Sequence, residues 1–394
     1  MIPRLGACLC VLVLMMVGLA PSAVGQQAQP AVAAQGAVLW DPADSVVLFG
    51  RAVDEPRPMA STTKIMTVLL ALEAGAIDET LVVSAHAVRI GQSPGAARLG
   101  LRPGQRIAVR SVLAGLILRS GNDGAVAVAE HLAGTEEAFV QKMNARAREM
   151  GLTGTAFLDS SGLASDSRHH ASPRDLARLA AVAMADPNFR IWAGADRMEV
   201  PGLGVLENRN ELIGTYPGAT GVKTGYTNLA GLCLVASATR DGRTLYAVVL
   251  GSRDSFAEAS ALLDYGFRAY QRPAPVVGGQ QVATYRWSGA QVSLVAAEPL
   301  ARTVTGGSAV TWRVILDPLA PRPVPAGASL GRAELFVGGH VVDSTALHAA
   351  EAVPAPAPGS RGDAAGAAVH DTLRAFARLH AVFRQVIEGP PTHT

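Results

Sequence analysis

Three short motifs, in a fixed order along the chain, constrain this sequence more than any other feature. They are Ser61-Thr62-Thr63-Lys64, Ser120-Gly121-Asn122 and Lys223-Thr224-Gly225. The 394-residue chain contains only three lysines and carries its other basic charge on arginine, yet two of those lysines lie in these motifs. An arginine stays charged in a protein, whereas a buried lysine can lose its proton and act as a base. The motifs therefore indicate a site that uses lysine chemistry.

The first motif predicts a nucleophile beside a base. Ser61 precedes a run with helical apolar spacing that includes Ile65 and Leu69, so we expect a helix to begin at Ser61. A spacing of three residues places Ser61 and Lys64 on one helix face, about one turn apart. Serine is a poor nucleophile until a base accepts its proton. A solvated lysine behind a helix cap would give the same short pattern, but the apolar run that follows favours a buried lysine.

The other two motifs supply polar groups of different kinds. Ser120 and Asn122 flank a glycine between two predicted helices, where they either point into a cleft or cap the second helix. Lys223 and Thr224 begin a predicted strand and offer a positive charge and a hydroxyl, and Gly225 allows a substrate backbone to approach closely. Each motif alone is weak evidence. All three in order, on a helix, a loop and a strand, form a specific signal.

The change of hydrophobic period along the chain predicts the domain organisation. Residues 34–272 begin with strands, continue as a block of helices and end with strands and a helix, which predicts an α/β domain with a mostly antiparallel sheet. Residues 276–352 show short alternating runs that predict a small β-sandwich or barrel. Residues 353–394 combine a Pro/Ala linker with an amphipathic helix that is expected to bind either the membrane surface or protein.

The N-terminal segment 1–25 reads as a cleavable export signal, with a transmembrane anchor as the alternative. Cleavage would leave Cys233 as the only cysteine, in a predicted buried strand. The formal net charge of +2 implies no basic face for nucleic acid, and we expect no nucleic-acid partner. Since no His, Asp or Glu spacing resembles a zinc site, we expect neither a metal nor a cofactor. The His169-His170 pair is expected to lie in a solvated loop.

Longer stretches around the motifs resemble the low-molecular-weight penicillin-binding proteins, which are serine D-Ala-D-Ala carboxypeptidases. The resemblance extends over roughly residues 37–271, and its most specific stretches are Pro58-Met59-Ala60-Ser61-Thr62-Thr63-Lys64, Gly221-Val222-Lys223-Thr224-Gly225-Tyr226-Thr227 and Leu262-Leu263-Asp264-Tyr265-Gly266-Phe267. It implies a β-lactamase-like transpeptidase domain, then a small all-β domain and a membrane-binding tail. The implied partners are peptidoglycan peptide stems and β-lactam antibiotics, and the implied location is the periplasm, on the outer face of the cytoplasmic membrane.

The resemblance also implies a role for each site residue. Ser61 would form the acyl-enzyme, Lys64 would act as base and Ser120 would relay a proton to the leaving D-Ala. Asn122, Lys223, Thr224, Gly225 and Tyr226 would bind the substrate, with the backbone N–H groups of Ser61 and Tyr226 as the oxyanion hole. An arginine that relatives use for the substrate carboxylate has only an approximate counterpart, Arg253.

Two other functions share the three motifs. A β-lactamase would need an efficient base for deacylation, such as Glu199, Glu207 or Glu211 before the Lys-Thr-Gly motif. A non-catalytic wall-binding protein could retain the same fold.

Overall fold

The structure is a computed structural model that describes residues 28–287, 290–317 and 323–354. The chain divides into two compact units, one that ends at Tyr270 and one that begins at Gln271. The predicted signal at 1–25 and the predicted terminal helix lie outside the described residues. Among the helices that the structure describes, none is long and apolar enough to cross a membrane.

The first unit contains eight α-helices among its described residues. They are α1 (Lys64–Glu73), α2 (Ala85–Gly91), α3 (Val109–Leu118), α4 (Asn122–Ala133), α5 (Glu136–Glu149), α6 (Pro173–Ala183), α7 (Pro187–Gly194) and α8 (Ser255–Ala269). Its strands are β1 (Gly36–Asp41), β2 (Val46–Arg51), β3 (Arg57–Pro58), β4 (Thr80–Val82), β5 (Arg106–Ala108), β6 (His170–Ala171), β7 (Arg197–Val200), β8 (Gly204–Glu207), β9 (Ala219–Thr227), β10 (Gly231–Arg240) and β11 (Arg243–Ser252), and β12 (Tyr270–Gln271) ends it.

A five-stranded sheet with the order β2-β1-β11-β10-β9 forms the centre of the first unit. All of its strand pairs are antiparallel, as the sequence pattern predicts. Successive side chains of a strand point to opposite faces, and both faces are buried here. Val235 and Val248 belong to a core shared with the helical block, whereas Leu234 and Val249 pack in a second core with Leu262 of α8. The sheet is therefore the middle of three layers.

The segment with the Ser-x-x-Lys motif begins differently from the predicted helix. A 3-10 turn spans Ala60–Thr63, and α1 begins only at Lys64. Ala60 has a left-handed backbone with φ 48°, and the hydroxyls of Thr62 and Thr63 donate to the carbonyl oxygens of Met59 and Ala60. These hydrogen bonds from the side chains to the preceding carbonyl groups tighten the first turn. Lys64 itself is fully buried at the start of α1.

The second unit is all-β in the residues that the structure describes. Its strands are β13 (Gln281–Trp287), β14 (Ala290–Ala296), β15 (Val304–Thr305), β16 (Val310–Leu316), β17 (Ser329–Val337) and β18 (His340–Ala349). Five of them form one antiparallel sheet with the order β13-β14-β18-β17-β16. Trp312, Leu335 and Leu347 belong to a separate hydrophobic core beneath it. The described strands thus give a β-rich unit with one main sheet and no second sheet of comparable size.

Candidate active site

The three motifs meet at one cleft of the first unit, with a volume of about 260 Å³. Its walls come from the 3-10 turn, the Ser120 loop, strand β9 and the start of α8. The lining residues are Ser61, Gly95, Ala97, Ser120, Asn122, Gly162, Leu163, Arg209, Thr224, Gly225, Tyr226, Thr227, Leu232, Cys233, Ser255 and Phe256. Lys64 and Lys223 are fully buried behind the residues that line the cleft. The predicted site residues therefore lie together, although the motifs are far apart in sequence.

Lys64 contacts three oxygen atoms, one of which belongs to Ser61. Its Nζ lies 3.0 Å from Ser61 Oγ, 2.6 Å from Asn122 Oδ1 and 2.6 Å from the carbonyl oxygen of Ser161. The amide and carbonyl oxygens can only accept hydrogen bonds. A neutral lysine amine has two hydrogens, and these two acceptors use both of them. The remaining lone pair then faces Ser61 Oγ, which is the geometry that a general base requires.

Burial brings the pKa of Lys64 into the physiological range. Desolvation of the ammonium group is the main cause of the shift, the carboxylates of Asp159 and Asp123 partly oppose it and the charge of Arg209 adds to it. Together these effects lower the pKa of Lys64 to about 7. A lysine in water has a pKa near 10.4. Lys64 is therefore about half neutral near pH 7.

The Ser120 loop carries an unpaired hydroxyl into the cleft. Ser120 is 2% exposed and adopts a left-handed backbone with φ 63°, and its Oγ has no hydrogen-bond partner among the described residues. Asn122 is the first residue of α4, and its side chain accepts from Lys64. The N-cap of α4 is Gly121, which has no side chain, so the alternative that Ser120 or Asn122 caps this helix is wrong.

A packing arrangement behind Ser120 fixes the adjoining wall of the cleft. The carboxylate of Asp123 accepts hydrogen bonds from the backbone N–H groups of Leu99, Gly100 and Leu101. The Leu99 side chain fills a socket that three glycines leave open. A Cβ atom would come within 2.9 Å of Leu99 at each of them, namely Gly115, Gly121 and Gly124. These contacts of Asp123 and Leu99 hold the segment that contains Ala97 against α4.

Strand β9 forms the opposite wall with the third motif. Lys223 is 1% exposed, and its Nζ donates to the carbonyl oxygen of Thr224 at 3.0 Å. Burial, followed by the nearby charges of Lys64 and Arg209, holds the pKa of Lys223 well below its usual value. A Cβ atom on Gly225 would lie 3.0 Å from the backbone nitrogen of Ser61, so a glycine lets β9 approach the 3-10 turn. Tyr226 is exposed at the edge of the cleft.

Arg209 is a cleft residue that the sequence did not reveal, whereas Arg253 is exposed and does not line the cleft. The side chain of Asn208 holds the Arg209 loop by donating to the carbonyl oxygens of Ala193 and Ala195. Burial and the charge of Arg119 lower the pKa of Arg209. The only sequence signal is an arginine between two asparagines, which does not distinguish a cleft residue from a surface arginine.

His169 corrects the prediction of a solvated histidine pair. This residue is only 2% exposed, because the adjoining strand β6 pairs with β3 just before the 3-10 turn. Its Nδ1 accepts from the backbone N–H of Leu158 at 3.0 Å, and its Nε2 lies 2.7 Å from Thr63 Oγ1. Burial lowers the pKa of His169. Its neighbour His170 remains partly exposed, with Nδ1 3.0 Å from the carbonyl oxygen of Ser167.

Cys233 lies in strand β10 and is buried, as its apolar neighbours predict. Burial raises the pKa of its thiol to about 12. Because the thiolate is the reactive form of cysteine, Cys233 is not a nucleophile at neutral pH. Across the part of the chain that the structure describes, no group of His, Cys, Asp or Glu residues is arranged to hold a metal ion.

Comparison with known proteins identifies the family. Residues 23–254 match the family model of peptidase S11, the D-alanyl-D-alanine carboxypeptidases. The chain belongs to this family. It is 32% identical to the D-alanyl-D-alanine carboxypeptidase DacF of Bacillus subtilis, over 86% of this chain and 92% of that protein. The resemblance inferred from the motifs is thereby confirmed, and the protein is a penicillin-binding serine D-Ala-D-Ala carboxypeptidase.

Solved structures agree with the fold. Penicillin-binding protein 5 of Haemophilus influenzae matches 83% of this chain and 99% of its own, with a TM-score of 0.68 and 28% identity. The DD-transpeptidase of Streptomyces K15 matches 61% of this chain and 99% of its own, with a TM-score of 0.58 and 30% identity. The predicted order of a transpeptidase domain and a β-domain is confirmed, and the β-domain is a half-barrel.

The pKa of Lys64 generates a testable pH dependence. If Lys64 accepts the Ser61 proton, the rate of acylation by penicillin should rise with pH to a plateau above pH 7. The rate should fall about tenfold for each pH unit below the pKa, because the base is then protonated. Stopped-flow acylation between pH 5 and 9 measures this profile. An acylation rate that keeps rising up to pH 9 without reaching a plateau would contradict a buried Lys64 with a lowered pKa.

Proposed function

We propose that this enzyme removes the terminal D-Ala from peptidoglycan pentapeptide stems through an acyl-enzyme on Ser61. The observation that carries the proposal is the contact between Lys64 Nζ and Ser61 Oγ at 3.0 Å, with the other two Lys64 contacts made to pure acceptors. Lys64 is the one basic side chain that contacts Ser61 in the residues that the structure describes. A base at this position requires lysine, because arginine stays charged, and Lys64 is one of only three lysines in this arginine-rich chain.

Acylation begins when Ser61 Oγ attacks the carbonyl carbon of the penultimate D-Ala. Lys64 Nζ accepts the hydroxyl proton, and the carbonyl oxygen becomes an oxyanion that accepts from the backbone N–H groups of Ser61 and Tyr226. The C–N bond then breaks and D-Ala leaves as an amine. Its nitrogen needs a proton, which Ser120 passes from Lys64, since the Ser120 hydroxyl lines the same cleft and has no partner among the described residues.

Positive charge and hydroxyl groups along one side of the cleft suit the substrate carboxylate. Thr224 and Arg209 line this wall, and Lys223 is buried beside it. Burial lowers the pKa values of both Lys223 and Arg209. Repulsion by Lys64 and Arg209 lowers the pKa of Lys223 further, and repulsion by Arg119 does the same for Arg209. A bound carboxylate relieves that repulsion. Asn122, which accepts from Lys64 with its oxygen, can donate to the peptide with its amide nitrogen.

Deacylation requires water and a base. Lys64 is again the group in position, so water attacks the ester carbon, the bond to Ser61 Oγ breaks, and Ser61 regains its proton. None of the residues that line the described cleft is Asp or Glu. Glu199 and Glu211 are exposed, and Glu207 lines a separate cavity with Arg98 and Arg119. This arrangement supports a carboxypeptidase that releases penicillin slowly, rather than a β-lactamase.

Intact-mass spectrometry with penicillin, combined with D-Ala release from a diacyl-D-Ala-D-Ala peptide, tests the function. We expect a stable adduct that maps to Ser61, together with D-Ala release, and loss of both in the Ser61→Ala variant. Rapid drug hydrolysis without D-Ala release would instead indicate a β-lactamase. Absence of any adduct would indicate a binding protein on the same fold.

Lys64→Arg tests the base. Because a guanidinium group stays charged, acylation by penicillin should fall by about 10²–10⁴-fold. Lys142→Arg is the matched control, since Lys142 is the third lysine of the chain and is exposed on α5; it should acylate at the wild-type rate. Near-normal acylation of the Lys64→Arg protein would exclude Lys64 as the base.

The sequences of the two terminal segments suggest where the enzyme acts. We propose export through the signal at 1–25 and peripheral attachment to the outer face of the cytoplasmic membrane through the amphipathic segment 369–394. The sequence pattern supports this proposal, because the apolar residues of that segment have helical spacing that would put them on one face and Arg374 and Arg378 on the opposite face. Removing 369–394 should leave activity on a soluble peptide unchanged and move the protein from the membrane fraction to the soluble fraction. Continued sedimentation with membranes would contradict this attachment.

A further inference from the structure

A buried histidine behind the nucleophile forms a hydrogen-bonded chain toward the oxyanion site. The backbone N–H of Leu158 can only donate, so Nδ1 of His169 must be the unprotonated nitrogen. The neutral ring then carries its proton on Nε2 and donates it to Thr63 Oγ1, 2.7 Å away. The Thr63 hydroxyl donates in turn to the carbonyl oxygen of Ala60 at 2.8 Å. Each hydrogen bond in this chain has one permitted direction.

The last acceptor of these hydrogen bonds, the carbonyl oxygen of Ala60, belongs to the same peptide unit as the Ser61 N–H. The carbonyl of Ala60 and the N–H of Ser61 belong to one planar peptide unit and point in opposite directions. A bond that fixes the direction of the Ala60 carbonyl therefore also fixes the direction of the Ser61 N–H. Ala60 has a left-handed φ of 48°, which L-residues rarely adopt. The surrounding contacts must therefore hold this peptide in place.

The loop after Ser161 packs against the same carbonyl and against the Thr63 hydroxyl. A Cβ atom on Gly162 would lie 1.9 Å from the Ala60 oxygen, so this glycine lets the loop after Ser161 pack against the turn. That loop also supplies the carbonyl of Ser161 to Lys64. Both the hydrogen bonds from His169 and Thr63 and the packing of this loop therefore hold the turn in place.

We propose that His169 and Thr63 are positioning residues that orient the Ser61 N–H as an oxyanion donor. The inference rests on the proposed function, in which this N–H stabilises the transition state. His169 is not a base in this scheme, because both of its ring nitrogens are occupied and it does not line the cleft. The other groups that influence its charge are Asp159 and Asp166, which favour protonation, and His170 and Lys64, which oppose it.

Two pairs of variants separate orientation from general stability. Thr63→Val removes the hydroxyl at nearly constant shape, while Thr63→Ser keeps it. His169→Asn keeps an acceptor for Leu158 but lacks a donor for Thr63, while His169→Gln places an amide N–H near the position of Nε2. His170→Asn is the matched control on the next residue. The fraction of active protein is normalised by the stoichiometry of the penicillin adduct.

We expect Thr63→Val and His169→Asn to lower kcat for D-Ala release by about tenfold or more, with KM nearly unchanged, because a misaligned oxyanion donor affects the transition state. Binding of a tetrahedral boronic acid analogue should weaken by a similar factor. Thr63→Ser, His169→Gln and His170→Asn should stay close to wild type. The double variant Thr63→Val/His169→Asn should be no worse than the poorer single variant, since both act through one carbonyl.

Several results would overturn the proposal. They are an unchanged kcat per active site in Thr63→Val and His169→Asn, a change confined to KM, or losses that multiply in the double variant. A wild-type enzyme that forms the penicillin adduct but releases no D-Ala would contradict the proposed function instead, and the two failures are therefore distinguishable.

Discussion

The arrangement of the first unit depends on one buried amine. Lys64 is removed from water at the start of a helix whose next residues fill the core, and an isolated ammonium group there would be strongly unfavourable. Three separate parts of the chain offset this burial, because α4 provides Asn122, the loop between α5 and β6 provides Ser161 and the 3-10 turn provides Ser61. The same contacts that stabilise the amine bring the cleft walls together.

The carboxylates near the cleft accept hydrogen bonds from backbone N–H groups and leave its basic side chains without acidic partners among the described residues. Asp123 and Asp159 lie close enough to influence Lys64, but their oxygens accept backbone N–H groups of the neighbouring loops. These carboxylates therefore shape the walls and do not ion-pair with the cationic groups. Lys64, Lys223 and Arg209 remain mutually repulsive. A cleft of this kind attracts an anionic group without first having to break an internal ion pair.

The sequence predicted much of the fold and site because its strongest patterns are local. Apolar spacing after Lys64 indicated a buried helix, and the continuous apolar run Leu232-Cys233-Leu234-Val235 indicated a buried strand. Both interpretations are confirmed. The 3-10 turn was missed because it depends on hydroxyls that bond back to Met59 and Ala60. The environments of Arg209 and His169 depend on tertiary contacts, such as the β3–β6 pair, which no local period reveals.

The glycine-lined socket for Leu99 changes how the second motif should be understood. The pattern Ser-x-Asn leaves the residue at its middle position unspecified, because no side chain there takes part in the chemistry. Here a Cβ atom on Gly121 would come within 2.4 Å of the Leu99 side chain. A leucine more than twenty positions earlier therefore restricts which residue the motif can contain. Substitutions at these two positions are expected to be interdependent during divergence, with a smaller residue at 99 permitting a larger one at 121.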